Sequence, residues 1–366
     1  MSRVILDRVS KRFDSFVAVD GLSLEVRQGE LVSLLGPSGC GKTTTLRMVA
    51  GLEHPSSGAI LFDGVPVHHL PPQRRGVGLV FQNYALFWHM TVYDNIAFGL
   101  RIRNVPASRV DQEVHRFAEM LELTDILHRR SSGLDLSSMQ RVALARTLIT
   151  QPQVLLLDEP FNNIRPGLRE AMRTELRRLQ QELGQTTIFV THDQEEALTL
   201  SDRVVVMRQG RVEQAGTPDV VYQRPANLFV AAFLGAPGMN LLRCRVEEGP
   251  DGPVLASPGL RVRAPDWSRP LIGAGREVWL GIRPEAVRVG HGELVGAVTM
   301  VQPLGAEVLV TIDPDPGSGR SKDSTLQALV APARRMRRGD AVTFSLPHEH
   351  LRLFDVQSGE ALHGQR

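Results

Sequence analysis

The chain has only two cysteines, Cys40 and Cys244, too few for a disulfide framework, and one of them lies inside a glycine-rich loop. That usage suits a reducing compartment, and the cytoplasm fits. Lysine is scarce: it stands only at Lys11, Lys42 and Lys322, and arginine carries the rest of the positive charge. Neither sign of charge dominates, with 42 basic against 40 acidic residues and a formal net charge of +2, which does not call for a nucleic-acid partner. No run of about 18 apolar residues occurs, so no direct membrane span is expected. The first eight residues meet charge too early for a secretory signal. Any membrane association is therefore expected through a partner. Heptads, low-complexity tracts and internal repeats are missing as well.

What the chain does contain is enough apolar material, 42% of 366 residues, for a full core and a second, smaller domain. Residues 1–235 alternate short apolar runs, glycine-rich turns and helical patterns, the rhythm of an α/β domain around a largely parallel sheet. Buried strands are expected at 31–35, 77–81, 154–157 and 187–190, with a mainly helical stretch over about 83–150. Val110, Val114, Phe117 and Leu121 share one helical face, as do Leu168, Met172, Leu176, Leu179 and Leu183. Both stripes read as core packing. Residues 236–366 change to short alternating strands broken by Gly, Pro and Asp, an all-β appendage with a loop at 313–319.

The stretch Gly36-Pro37-Ser38-Gly39-Cys40-Gly41-Lys42-Thr43, continued by Thr44, follows an expected strand and opens an expected helix, which is the context of a P-loop. Its glycines let successive N–H groups face one anion, and the helix adds its positive end. In that arrangement Lys42 reaches the β and γ phosphates of ATP and the Thr43 hydroxyl ligates Mg2+. The apolar run ending in Asp158-Glu159 supplies two carboxylates, Asp158 suited to Mg2+ and Glu159 to a general base. His192 ends the next strand, where an imidazole reaches a γ-phosphate, although a histidine in such a place is more often structural. Asp193, with Glu195 and Glu196 behind it, also reads as a helix start.

These segments resemble the ATP-binding cassette (ABC) family, in that family's order, over most of the chain. The resemblance implies an ABC-type α/β P-loop NTPase with a helical subdomain, followed by a smaller all-β OB-like domain. It also implies roles for further residues. Phe81-Gln82 resembles the Q-loop, giving Gln82 a part in sensing Mg2+ and water and in touching the transmembrane partner. Phe13 falls where the family stacks an aromatic ring on adenine, and His192 falls on its switch histidine. Leu70 to Arg75 (LPPQRR), Gly216-Thr217-Pro218, Pro237 to Leu242 (PGMNLL), Gly281-Ile282-Arg283-Pro284-Glu285 and Leu304-Gly305-Ala306-Glu307 are similar to importer ATPases of the maltose and glycerol-3-phosphate type with a C-terminal TOBE domain. Such a subunit is cytoplasmic and peripheral on the inner face of the plasma membrane. It works with transmembrane permease subunits, a solute-binding protein and a second ABC subunit, with a carbohydrate or polyol phosphate as cargo.

Two motifs depart from that family. Its Leu-Ser-Gly-Gly-Gln signature, which completes the partner subunit's P-loop, is replaced by Leu134, Asp135, Leu136, Ser137 and Ser138. A shifted register, Leu136-Ser137-Ser138-Met139-Gln140, keeps the outer residues but still lacks the glycines. Losing one such hydrogen-bond donor costs about 2.7–4 kcal/mol, and a carboxylate at Asp135 adds like-charge repulsion. Equally, Asp135, Ser137 or Ser138 is good chemistry for capping the helix that follows. In the D-loop, Phe161-Asn162-Asn163-Ile164-Arg165 places Arg165 where the family has an acid, which points to a changed dimer seam. Trp88 replaces a familiar proline and suits either a permease anchor or ordinary packing. The basic run 334–338 reads as a solvated turn, and His348 and His350, expected on one strand face, lack a third metal ligand.

Overall fold

The computed structural model describes residues 1–362 except 82, 163, 165, 317–324 and 333–335. The chain folds as two compact units, Met1–Asp219 and Val220–Arg366. The division falls within a short helix at Pro218–Gln223.

Among the described residues, ten strands build the first unit: β1 (Val4–Phe13), β2 (Phe16–Val26), β3 (Leu31–Leu35), β4 (Ser57–Phe62), β5 (Val65–Pro66), β6 (Val77–Val80), β7 (Val154–Asp158), β8 (Thr187–Thr191), β9 (Arg203–Arg208) and β10 (Arg211–Gly216). They form one sheet in the order β10-β9-β3-β8-β7-β6 and another in the order β2-β1-β4-β5. In the first, every pairing among β3, β6, β7, β8 and β9 is parallel, and only edge strand β10 runs the other way. Strands covered on both faces need apolar residues at successive positions, which is why 154–157 reads as an unbroken apolar run and 31–35 as one interrupted only by buried Ser33, whose hydroxyl is hydrogen-bonded to that of Ser201. Side-chain alternation then divides them between two cores. Val154 and Leu156 face a core shared with β1, β2, β4 and helix α1 (Lys42–Ala50). Leu155 and Leu157 face the opposite core, filled by α2 (Val92–Ile102), α3 (Ala107–Met120), α4 (Leu136–Leu148) and α5 (Pro166–Leu183). Val110, Val114, Phe117 and Leu121 are buried there, as are Met172, Leu176 and Leu179. The antiparallel sheet was not visible as such in the periodicity, because β1 and β2 meet through several register shifts that break simple alternation.

The second unit is antiparallel. Strands β11 (Asn240–Gly249), β12 (Gly252–Ser257), β13 (Leu260–Arg263), β14 (Glu277–Ile282), β15 (Arg288–Pro303), β16 (Val308–Asp313), β17 (Leu326–Val330), β18 (Ala341–Ser345), β19 (Arg352–Asp355) and β20 (Ala361–Leu362) form sheets ordered β13-β12-β11-β14-β19-β20 and β17-β16-β15-β18. They enclose one apolar core, an architecture in keeping with an OB-like domain. Asn240 joins the sheets, its amide donating to Gln327 O at 2.8 Å and accepting from Gln327 N at 2.7 Å.

Two of the motifs that marked the subfamily have structural work. Buried Arg75 donates to the carbonyls of Met48, Val49, Leu70 and His68 at 2.6, 3.1, 2.9 and 2.9 Å, which satisfies the carboxyl end of α1. Buried Arg283 does the same for the helix at Leu228–Phe233, donating to Ala231 O at 3.2 Å, Leu234 O and Tyr222 O at 2.8 Å, with its guanidinium 4.1 Å from the Tyr222 ring centroid. Glu285 accepts from the Tyr222 hydroxyl at 2.9 Å. Segment 220–235, grouped by sequence with the first domain, is thus tied to residues of the second unit. His348 and His350 lie in a 3-10 turn, not on a strand face, since Pro347 before them cannot extend a ladder. No group of three or more His, Cys, Asp or Glu among the described residues is placed to hold a metal.

Candidate functional site

Strand β3 ends at Leu35, and residues 36–41 turn into α1. Two glycines here admit no side chain. A Cβ at Gly36 would stand 2.3 Å from Met207 O, and Gly41, at φ +105°, would place one 2.5 Å from Ala18 O. Pro37, Ser38 and Gly39 are exposed, whereas Cys40, Gly41 and Lys42 are buried, and Thr43 and Thr44 lie between. Helix α1 opens with no side-chain cap and no acid in its first turn. Helices α2, α4 and α6 (Gln194–Leu200) are capped by Thr91, Asp135 and Asp193. The leading N–H groups of α1 are therefore left for an anion from outside the helix. Lys42 folds over the loop, its Nζ donating to Gly36 O at 2.7 Å and Pro37 O at 3.0 Å. The Cys40 sulfur is 3.8 Å from that nitrogen, and burial pushes its thiol pKa up despite the lysine.

Parallel register brings the ends of three strands to one edge, with Leu35 opposite Thr191 and Asp158 opposite Val190. Sites in α/β sheets form at such carboxyl ends. There the Thr43 hydroxyl donates to Asp158 Oδ1 at 3.2 Å. Burial raises the Asp158 pKa, the Thr43 bond opposes that shift, and Glu159 adds to it. Glu159 adopts φ +47°, a backbone region that costs a residue with a side chain about 1–2 kcal/mol. Its N–H is held by Val190 O at 2.9 Å, which secures the turn that presents its carboxylate. His192 Nδ1 is 3.4 Å from Glu159 Oε1, and Asn162 Nδ2 donates to Glu159 Oε2 at 3.1 Å. Behind them, Thr191 donates to Glu196 Oε2 at 2.6 Å, and burial raises the pKa of that carboxyl.

The structure therefore gathers Gly36 to Thr44, Asp158, Glu159 and His192 at one edge. Gln82 and Arg165 lie outside the described residues. Phe13 ends β1 directly opposite Phe16, both rings are exposed, and Lys11 Nζ is 4.8 Å from the Phe13 centroid. Sequence reading placed Asn162 only in the D-loop and Glu196 only in a helix start, not at this site; the signal for Asn162 was its place three residues beyond Glu159. Arg146 donates to Tyr84 O at 2.8 Å and Ala85 O at 2.7 Å, fixing the turn at residues 84–85 to α4. Phe81 and Trp88 flank it with exposed rings. At the other end of α4, Asp135 is the cap: its Oδ1 accepts from Ser138 N at 3.0 Å and its Oδ2 from Ser138 Oγ at 2.8 Å. The Ser138 N–H bond holds the Asp135 pKa below its ordinary value.

A phosphate chain laid along this edge would meet backbone donors, one lysine and a hydroxyl–carboxylate pair, the recognition logic of the P-loop NTPases. The pair also suits Mg2+, which takes hard oxygen ligands and usually fills its remaining positions with water and phosphate oxygens. Comparison with known proteins narrows the class. The family model described as ABC transporter matches residues 19–162, the MalK OB fold domain matches 235–287, and the TOBE domain matches 280–354. The trehalose/maltose import ATP-binding protein MalK of Thermococcus litoralis is 45% identical over 380 residues, covering 99% of this chain and 100% of that protein. The sn-glycerol-3-phosphate import ATP-binding protein UgpC of Paraburkholderia xenovorans is 42% identical over 368 residues, covering 98% and 99%. Among solved structures, cbiO1 from Clostridium perfringens, part of the ABC transporter complex cbiONQ, matches with a TM-score of 0.56 and 30% identity over 60% of this chain and 89% of that one. The chain belongs to the ATP-binding proteins of the ABC transporter family. No helix among its described residues is long and apolar enough to cross a membrane.

Proposed function

We propose that this chain is the energy-coupling subunit of an ABC importer for a carbohydrate or polyol phosphate, binding and hydrolysing ATP at the inner face of the plasma membrane. The observation that carries the reading is the meeting of Thr43, Asp158, Glu159 and His192 at the carboxyl edge of the parallel sheet. The cargo class rests on relatives named for trehalose/maltose and sn-glycerol-3-phosphate import. Permease subunits, a solute-binding protein and a second cassette subunit are the partners this role requires. Exposed Phe81 and Trp88 offer a surface for the permease.

In this reading Phe13 stacks on adenine through the ring face away from Lys11. The N–H groups of the 36–41 turn and of the α1 terminus bind the phosphates, and Lys42 Nζ exchanges its two carbonyl partners for phosphate oxygens. Thr43 and Asp158, with Gln82 by resemblance, would hold Mg2+, which would supply charge neutralisation for the transferred phosphoryl oxygens. Glu159 takes a proton from the attacking water at its carboxylate, oriented by Asn162 and His192. His192 also contacts the γ-phosphate.

A second reading is favoured by one observation: the carboxylate of Asp135 already accepts the Ser138 N–H at the start of α4. If this segment stands in for the family signature, its donors face the partner's γ-phosphate across a fixed negative charge. The chain is then a cassette that binds ATP without turning it over as a homodimer and pairs with an intact homologue. Steady-state phosphate release at saturating Mg-ATP, beside Lys42→Ala, tests both. Turnover that vanishes in the variant supports the hydrolytic homodimer. ATP binding without turnover removes hydrolysis by the chain alone and supports the pairing reading; no ATP binding removes both.

A further inference from the structure

One face of the sheet containing β11 and β14 carries chemistry that the ATP site does not use. Towards one end of this face, the helix at Leu228–Phe233 packs through Leu228 and Ala231 against Leu241, Trp279 and Phe354. Beyond that cover lies a cavity of about 680 Å³ lined by Arg243, Arg245, Arg276, Glu277, Asp355 and Gln357 among others. Three guanidinium groups here meet two carboxylates.

Both carboxylates are committed. Glu277 Oε2 accepts from Arg243 at 2.6 Å, and Asp355 Oδ2 accepts from Arg276 at 2.8 Å. Asp355 is itself pinned, its Oδ1 taking the N–H groups of Ser358 at 2.8 Å and Gln357 at 3.0 Å, so Arg276 is held at the rim by a fixed anchor. Arg245 is the group left over. Its register partner on β14 is Glu277, already bonded to Arg243, and its partner on β12 is Ala256, whose methyl carries no charge. No side-chain hydrogen bond or ion pair of Arg245 occurs among the described residues. Arg243 and Arg245 alternate on one strand, so both point out of the same face about 7 Å apart. Glu247, next on the same face of β11, is taken by Arg261 at 2.7 Å, so Arg243 and Arg245 are left to share Glu277 and repel each other, and the cavity between them and Arg276 remains open to an anion.

We propose that this cavity binds a phosphomonoester of a small polar molecule, with Arg245 as the principal contact and Arg243 and Arg276 as flanking ones. A phosphoryl group near neutral pH carries close to two charges and three acceptor oxygens, matching several guanidinium forks better than one carboxylate does. The volume exceeds that of a bare ion, which leaves room for the esterified body beside Gln357 and Val356.

The test uses the full chain, with its P-loop filled by a saturating non-hydrolysable ATP analogue and Mg2+ so that the nucleotide site cannot bind the probe. Titration calorimetry at low salt with glycerol 3-phosphate and glucose 6-phosphate, beside inorganic phosphate and sulfate, reads the site. Saturable binding of at least one ester is expected, weakened about tenfold or more by Arg245→Gln and lost in the doubly substituted Arg243→Gln/Arg245→Gln chain. Both arginines are exposed on a strand, so unchanged circular dichroism and Tm are expected in the variants. Ester binding that is insensitive to Arg245→Gln overturns the proposal, as does the absence of saturable binding. Equal affinity for inorganic phosphate and both esters overturns the ester assignment.

Discussion

Asn162 Nδ2 donates to Glu159 Oε2 at 3.1 Å, holding one oxygen of the carboxylate proposed as general base while His192 stands at the other. Removing the amide leaves Glu159 free to rotate without touching the phosphate-binding turn. Asn162→Ala is expected to lower kcat for ATP hydrolysis about tenfold, a barrier change of about 1.4 kcal/mol, with KM for ATP unchanged. An equal loss in ATP affinity, measured by fluorescent-nucleotide titration, would place Asn162 in binding instead.

Asp158 carries an opposite pair of costs in the free and loaded protein. Burial raises its pKa above the ordinary carboxylate value, so the folded chain binds more protons there than the unfolded chain and stability falls as pH rises through that window. Asp158→Asn removes the buried charge and is expected to raise Tm of the nucleotide-free protein at neutral pH, an advantage that disappears in acid. The same variant loses the Mg2+-dependent part of the stabilisation by ATP, which for wild type reaches about 2.7 kcal/mol at a ligand concentration 100 times Kd. Scanning calorimetry with and without Mg-ATP reads both effects. A lower nucleotide-free Tm in the variant would mean that the Thr43 bond outweighs the burial of charge.

Asp135 makes a contrasting prediction. Its pKa is depressed, chiefly by the Ser138 N–H, so its contribution is present above the ordinary carboxylate value and lost as pH falls through the lower folded value. Asp135→Ala is expected to cost about 1 kcal/mol at neutral pH and progressively less in acid, in urea titrations. Asp135→Ser retains a cap and removes the charge, so it separates stability from turnover. Raised phosphate release in this variant supports an inhibitory role for the carboxylate, and unchanged release assigns it to capping alone.

Arg75 is predicted to matter for stability and not for nucleotide chemistry. Its four carbonyl acceptors come from the end of α1 and the segment around residues 68–70. Arg75→Met keeps the length and leaves those acceptors without donors, at about 1–3 kcal/mol for each group that water cannot reach. A total loss of about 3 kcal/mol is expected by urea unfolding, with Arg75→Lys recovering less than half because one ammonium cannot reproduce the planar fork. A Lys variant as stable as wild type would refute that geometry.

Most of the residues that meet at the candidate site's edge were legible in the linear chain. The P-loop, Asp158, Glu159 and His192 each sit at the end of an apolar strand, and a strand end is written in consecutive residues. The helix faces at Val110 and Met172 were legible for the same reason, since their period is local. Gln82 and Arg165 were expected at the site and the seam from resemblance, and both lie outside the described residues.

By itself the sequence determined the class of site, because glycine spacing, a lysine and two acids at a strand end leave few other chemistries. It also marked Gly36 and Gly41 as loop glycines, although the reason they admit no Cβ, the approach of Met207 O and Ala18 O, belongs to the fold. Only the tertiary structure decided how residues distant along the chain meet. It brought the Thr43 hydroxyl to Asp158 and turned Arg75 onto the end of α1. It also left Arg245 beside Arg243 without a carboxylate of its own. The physical reason is common to all three. Hydrogen bonds and ion pairs act over about 3–4 Å, and which groups come that close depends on sheet register and packing, properties no local stretch of sequence contains.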